Sequence, residues 1–220
     1  MINSSTFKFL SDLASNNNRN WFLLNKVRYE DARLNVLDFA SNVLAGISKF
    51  DSAIPSTMAS KDCVNRIYRD IRFSKDKTPY KSNFGIGFSP NGKKFNGPGY
   101  YLHIHPQDSF IGGGCWMPEA DLLKAIRQEI DYNGTDFRNI IKNSSFLNYF
   151  GGIDTEYKLK TCPKGYEIDH PELEFLKLKS FTFTHALNQK ELSSPNAAEQ
   201  VIEGFAKLYP FIGFLRNAIS

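Results

Sequence analysis

Six cationic side chains, Arg66, Arg69, Arg72, Lys75, Lys77 and Lys81, fall within sixteen residues of this 220-residue chain. Tyr68, Phe73 and Tyr80 are woven among them. Between residues 61 and 94, nine Lys/Arg stand against three Asp, while the whole chain carries only +4, so everything outside that window sums to −2. The positive charge is therefore local, and a local basic cluster interleaved with aromatics contacts an anion, stabilises a carboxylate network, or does both. If residues 66–73 are extended, Arg66, Tyr68, Asp70 and Arg72 share one face, and Ile67, Arg69, Ile71 and Phe73 the other. Asp70 would then orient the two flanking guanidinium forks for bidentate contact with a phosphate or carboxylate. Lys75, Lys77 and Lys81 would add attraction from the following loop, and Tyr80 a hydroxyl donor. An alternative use of the same residues is a salt-bridge lattice that ties the sheet to its helices.

Other chemistry is less developed. His103 and His105, two apart on one strand, place two imidazoles on one face, a spacing that can hold a metal but here lacks a third ligand nearer than Asp108. Asp70, Asp76 and His103 are the groups that a phosphate-ester hydrolase would use as metal ligands or acid/base groups. Gly112-Gly113-Gly114 lacks the spacing of a phosphate loop and reads as a bulge or a close approach of another backbone or a ligand. No nucleophile elbow, zinc-protease motif or paired Cys–His pattern occurs. Trp21, Phe22 and Trp116 could stack a base, but beside apolar runs they read as core.

The elements that must position these residues follow from periodicity. Ser5 or Thr6 can cap a short helix with Phe7, Leu10 and Leu13 on one face, ended by Asn16-Asn17-Asn18. A longer helix over residues 25–49 shows a stripe of Val27, Leu34, Leu37, Leu44 and Ile47, with Val43 at its edge. Residues 66–73, Phe84-x-Ile86-x-Phe88, residues 101–104, residues 109–116 and residues 181–184 read as strands. Short turns at Pro90-Asn91-Gly92, Gly97-Pro98-Gly99 and Pro106-Gln107-Asp108 favour an antiparallel meander. Helices follow Pro118, Thr135 and Pro171, and Ser194-Pro195 opens a last helix with Val201, Ile202, Phe205 and Leu208 inward, which Pro210 should end or kink. The expected fold is α+β, an antiparallel sheet flanked by helices, with the N- and C-terminal helices packed on it. One domain over residues 1–220 is expected, with a possible subdivision near residue 118.

Composition is that of a globular protein, 41% hydrophobic and 23% charged with 19 Phe. No run approaches the length of a membrane span, and the first ten residues lack a secretory pattern, so a cytoplasmic protein with no membrane partner is expected. Cys63, Cys115 and Cys162 form no CxxC pair and read as reduced thiols.

The pattern R-x-x-R-D-x-R-F-x-x-D-K-x-x-Y, carried by Arg66, Arg69, Asp70, Arg72, Phe73, Asp76, Lys77 and Tyr80, resembles the signature of a bacterial and fungal family called domain of unknown function 2461. The resemblance spans nearly the whole chain. It includes Asn17-Asn18-Arg19-Asn20-Trp21-Phe22, Gly99-Tyr100-Tyr101-Leu102-His103, Trp116-Met117-Pro118, Pro163-Lys164-Gly165-Tyr166 and Leu176-Lys177-Leu178-Lys179-Ser180. His105 stands where the family tends to carry an acidic residue. The resemblance implies no reaction and no cofactor.

The residues therefore point to anion recognition by Arg66, Arg69, Asp70, Arg72, Lys75, Lys77, Tyr80, Lys81 and His103. A small anionic ligand is favoured over nucleic acid, because the rest of the chain is negative. Two alternatives stand beside this reading. One is a hydrolase of phosphate esters or nucleic acid. The other is a structural or partner-binding protein whose basic groups pair internally with acids such as Asp121, Glu129 or Asp169.

Overall fold

The computed structural model describes residues 1–219. Ten helices and four strands alternate along them: α1 (Ser4–Ser15), α2 (Arg19–Leu24), α3 (Lys26–Ile47), α4 (Ser60–Cys63), β1 (Phe84–Phe88), β2 (Gly99–Ile104), β3 (Ser109–Cys115), α5 (Ala120–Tyr132), α6 (Gly134–Ile141), α7 (Ser144–Phe150), α8 (Leu173–Leu176), β4 (Phe181–Leu187), α9 (Gln189–Leu192) and α10 (Ala197–Asn217). A 3-10 turn lies at Gly92–Lys94. The strands form one antiparallel sheet in the order β1-β2-β3-β4, so the fold is α+β. The first three strands follow one another through short turns, whereas the β3–β4 connection carries α5 to α8. The chain divides into two compact units: Met1–Lys94, Tyr101–Ile111 and Ala186–Glu203 form the first, and Phe95–Tyr100, Gly112–His185 and Gly204–Ser220 the second.

The sheet has one packed face and one open face, as period-two alternation demands. In β2, Tyr100, Leu102 and Ile104 are buried while Tyr101 and His103 are only half-buried. In the first unit, α1 lays Phe7, Phe9, Leu10 and Leu13 into the core. The helix starts earlier than expected, with Asn3 as its N-cap. Its start is tied to α3: Asn35 Oδ1 accepts from the Asn3 N–H (2.8 Å) and the Thr6 hydroxyl (2.9 Å).

The stripe expected on α3 is corrected by the structure. Val27 and Leu34 are 70% and 62% exposed, and the buried set is Ala32, Val36, Phe39, Ala40, Val43, Leu44, Gly46 and Ile47. The physical reason is that burial is concentrated in the C-terminal half of the helix, where it meets the first unit's core. The N-terminal half packs through Tyr29, which meets Phe9, Phe22 and Phe84, and through Ala32 and Val36, a different face from the one that carries Val27 and Leu34.

In the second unit an aromatic core gathers Phe137, Phe146, Phe183, Phe211 and Phe214, with Phe146 and Phe211 both edge-on to Phe183 at 4.7 and 4.9 Å. Such pairs add about 0.5–1.5 kcal/mol each beyond their area. The glycine triplet of β3 is a close approach of backbone, one of the two readings its sequence allowed. A Cβ on Gly112 would lie 2.7 Å from the Phe183 carbonyl oxygen, and one on Gly114 only 1.9 Å from that of Phe181. Gly114 also sits at φ 127°, a conformation open to glycine and strained for any other residue.

Pro210, expected to end or kink the last helix, does not end it: α10 continues to Asn217. Both Pro210 and Ala206, whose carbonyl loses its usual donor, are exposed, so the missing bond falls on the solvent side of the helix. Trp116 is not core but 67% exposed, at the end of β3. No helix among the described residues is long and apolar enough to cross a membrane.

Candidate functional site

Residues 66–73 do not form the continuous strand expected of them. After α4 the chain pairs antiparallel with β1 at Val64↔Ile86, and with the stretch that precedes β1 at Tyr68↔Tyr80. Between these two bridges lie four residue steps on one side and six on the other, so the side holding Ser82 and Asn83 carries two extra residues and the ladder breaks. The Asn65 N–H donates to the Gly85 carbonyl (2.8 Å), the Arg69 N–H to Pro79 (3.0 Å) and the Lys81 N–H to Ile67 (2.8 Å). Beyond Arg69 the chain leaves the ladder and closes a loop over residues 70–78.

Arg69 holds that loop from within. Its guanidinium pairs with the Asp76 carboxylate and the Thr78 hydroxyl, and donates to the Thr78 carbonyl (3.2 Å) and Ser74 hydroxyl (3.5 Å). Asp76 also accepts from the Thr78 N–H at 2.9 Å, and these bonds hold its carboxyl below the usual carboxylate range, the Thr78 N–H contributing most. Lys77 Nζ donates to the Ile71 carbonyl at 2.9 Å. Asp70 and Arg72 form a bidentate pair, Nε–Oδ1 3.0 Å and Nη2–Oδ2 2.6 Å, out on the surface. The Arg72 hydrogen bonds lower the Asp70 pKa, with Arg66 adding a smaller push. The acids that pair with these arginines thus come from inside the segment.

The base of the segment rests on the N-terminal helices. Tyr80 is buried and stacked on Phe22 at 4.0 Å and 13°. Its backbone is gripped by the Asn17 amide, which donates to the Tyr80 carbonyl (2.9 Å) and accepts from its N–H (3.1 Å). Burial raises the Tyr80 phenol pKa, Tyr68 adds to this, and Arg19 opposes it. Asn18 caps α2 by accepting from the Trp21 N–H (2.9 Å). Asn17, Asn18 and Arg19 then face Ile71, Asp76, Lys77, Thr78 and Pro79 across an open groove of about 580 Å³. From the sequence the Asn run read as a helix breaker and as part of the Asn17-to-Phe22 motif of the family resemblance, not as a grip on another segment. Its site role rests on amide contacts to main chain sixty residues away, for which residue type carries no signal.

Two cations of the segment stand apart. Arg66 is exposed, and among the described residues it makes no hydrogen bond or ion pair. Lys81 is half-buried, and its ammonium likewise has no hydrogen-bonding or ion-pair partner there, although its backbone N–H is used in the ladder. Burial pushes the Lys81 ammonium pKa down, and the neighbouring Arg66 charge pushes it further. Lys75 is exposed.

His103 lies elsewhere in the same unit, on the open face of the sheet. Its ring stacks on Phe110 (4.9 Å, 10°), with Nδ1 3.5 Å from the Tyr101 hydroxyl. Burial lowers its pKa, His105 adds to this, and Asp108 opposes it. The His105 Nδ1 accepts the N–H groups of Gln107 and Asp108, each at 3.2 Å, so this ring orders a turn. No cluster of three or more His, Cys, Asp or Glu side chains suited to a metal ion occurs among the described residues.

A family model described as conserved hypothetical protein (DUF2461) matches residues 5–214 of the chain. The chain belongs to the DUF2461 family. No curated protein and no solved structure matches it. The DUF2461 match covers both compact units, together with the basic segment and the asparagines that seat it.

Proposed function

We propose that this DUF2461 protein recognises a phosphate- or carboxylate-bearing ligand through the basic segment of its first unit. The observation that carries the reading is the pair Arg66 and Lys81. Two like charges act on one another, one of them half-buried; Asp70 feels Arg66 only weakly while it is paired with Arg72, and neither cation forms an ion pair among the described residues. Such an arrangement costs free energy that an incoming anion would recover. Arg66 offers the bidentate fork that suits a phosphate or carboxylate. Lys81 adds a partly desolvated point charge, and Lys75, Lys77 and Arg19 add attraction at longer range. Arg69, Asp70, Arg72 and Tyr80 shape and seat the segment rather than meeting the ligand directly. His103 is a separate polar group on the open sheet face.

A second reading draws support from the saturation of Arg69 by Asp76 and Thr78 and of Arg72 by Asp70: that the segment is chiefly structural. Thermal unfolding in phosphate against chloride at matched ionic strength separates the two. Anion recognition gives a saturable rise in Tm for the native chain, following the ligand-linkage relation, and a strongly reduced rise for Arg66→Met. Equal rises in both proteins would leave the structural reading standing.

A further inference from the structure

Among the described residues of the first unit, Tyr68 (49%) and Phe73 (94%) are the large aromatic side chains left exposed; the other exposed large hydrophobics there, Met1, Leu23, Leu24, Val27 and Leu34, are aliphatic. Both rings lie inside the sixteen-residue basic segment. Their settings differ. Phe73 sits on the loop, with the Arg72 guanidinium 5.8 Å from its ring centre. Tyr68 is anchored: its ring leans on Tyr80 at 5.5 Å and on Phe22 at 6.0 Å, and its backbone is bridged to Tyr80. Tyr68 also stands two residues from Arg66 in the paired stretch. Arg66 and Tyr68 are both exposed while Ile67 between them is 1% exposed, so guanidinium and phenol share one side of the chain.

We infer that the ligand of this site is a nucleoside phosphate, its phosphate held by Arg66 and Lys81 and its base laid on Tyr68. The inference rests on the anion-binding reading above and narrows it. A cation pair alone selects negative charge and is indifferent to what carries it. A fixed ring beside the pair, with one side wet and the other backed by Tyr80 and Phe22, adds a preference for a flat apolar group attached to that charge. Aromatic stacking tolerates every base, because each presents a π-face. The backing matters because a ring already immobilised loses little side-chain freedom on binding. Phe73 lacks such ring neighbours and is not assigned this role. The chemistry is shared by a free nucleotide and by a single strand.

The test measures binding of three probes to the full chain by calorimetry: inorganic phosphate, ribose 5-phosphate and adenosine 5′-monophosphate. The expected result is that the nucleotide binds about tenfold more tightly than ribose 5-phosphate, as stacking of one base provides. Tyr68→Leu, which keeps apolar bulk against Tyr80 and Phe22, should bring the nucleotide down to the level of ribose 5-phosphate and leave the sugar phosphate unchanged. Phe73→Leu should change neither. Equal affinities for nucleotide and sugar phosphate, or a loss in Phe73→Leu in place of Tyr68→Leu, overturns the inference while leaving anion binding intact. Failure of all three probes overturns both readings. A ten-nucleotide single strand distinguishes the sources. Tighter binding with a steep salt dependence identifies a strand, and binding no tighter than the mononucleotide identifies a free nucleotide; either outcome supports the shared chemistry.

Discussion

The two units treat their charged side chains in opposite ways. In the second unit Glu172 is 3% exposed and pairs through Oε1 with Arg138. Beside it, His170 accepts the Glu172 N–H on Nδ1 (3.0 Å), which leaves Nε2 to donate to Asp131 (2.8 Å). A half-buried Arg127 donates to the Leu178 carbonyl at 3.1 Å. There, charge is used inward, to fix one chain segment against another. In the first unit the charges that hold the basic segment are Arg69 and Lys77, bonded within it, and Arg66, Lys75 and Lys81 are left without ion-pair partners among the described residues. The contrast teaches that richness in charge says little about function until each charge is matched to its partner. The unmatched ones are those a ligand can use.

The contrast can be broken most directly at Arg138. Arg138→Met leaves the Glu172 carboxylate buried without its counter-charge, and an uncompensated buried charge costs about 3 kcal/mol. Urea unfolding should show a loss of that size; a loss below about 1 kcal/mol would mean that Glu172 is neutral or finds water. The next effect in size is at Arg69. Losing its hydrogen bonds to Thr78 and Ser74 should cost about 1 kcal/mol in Arg69→Met and raise protease sensitivity within residues 70–78. Arg72→Met removes a pair lying in water and should leave the unfolding midpoint where it was. Similar losses for Arg69 and Arg72 would erase the distinction drawn between them.

A smaller effect, opposite in sign, is expected at Lys81. Folding lowers its pKa, so between that lowered value and the ordinary lysine range the unfolded chain holds more protons than the folded one. Stability from this group is therefore lost at lower pH and returns as pH rises through that window. Lys81→Met should be more stable than the native chain at pH 7, with the difference shrinking toward pH about 10.5. A variant less stable than the native chain at pH 7 would show that Lys81 has a counter-charge after all. The smallest effect belongs to His103, whose pKa is also lowered by burial. Its contribution is complete above pH about 6.5 and is lost as pH falls toward the depressed folded value. His103→Gln should flatten that part of the acid limb in a pH series of thermal midpoints.

Where local pattern and burial agree, the fold was legible. The face of α1, the alternation of β2, the start of α5 after Pro118 and the strand opening at Phe181 all follow from spacing. What escaped did so for nameable reasons. The apolar spacing of α3 is real along its length, but its N-terminal half packs through Tyr29, Ala32 and Val36 and leaves Val27 and Leu34 in solvent. The alternation of residues 66–73 is also real, but the two extra residues on the opposite side interrupt the ladder. Asp70 was expected between two arginines and holds one, because the strand that would have brought Arg66 beside it does not continue. The composition of the basic site could be read from sequence. Its seat on Asn17 and Phe22 could not, since it depends on contacts across sixty residues of chain.

The interrupted ladder has a consequence for how this protein behaves in a crowded solution. A four-stranded open sheet has two outer strands, and bare outer strands recruit each other into aggregates. Here the outer side of β1 is already occupied by residues 64–65, and on β4 the Thr182 carbonyl already accepts the Asp154 N–H at 3.0 Å. The break after Asn65 also leaves the covering chain too irregular to serve as a fresh template. Trimming residues 64–81 to obtain a smaller, better-behaved domain would thus do the reverse, by uncovering the polar edge of β1 to the next molecule.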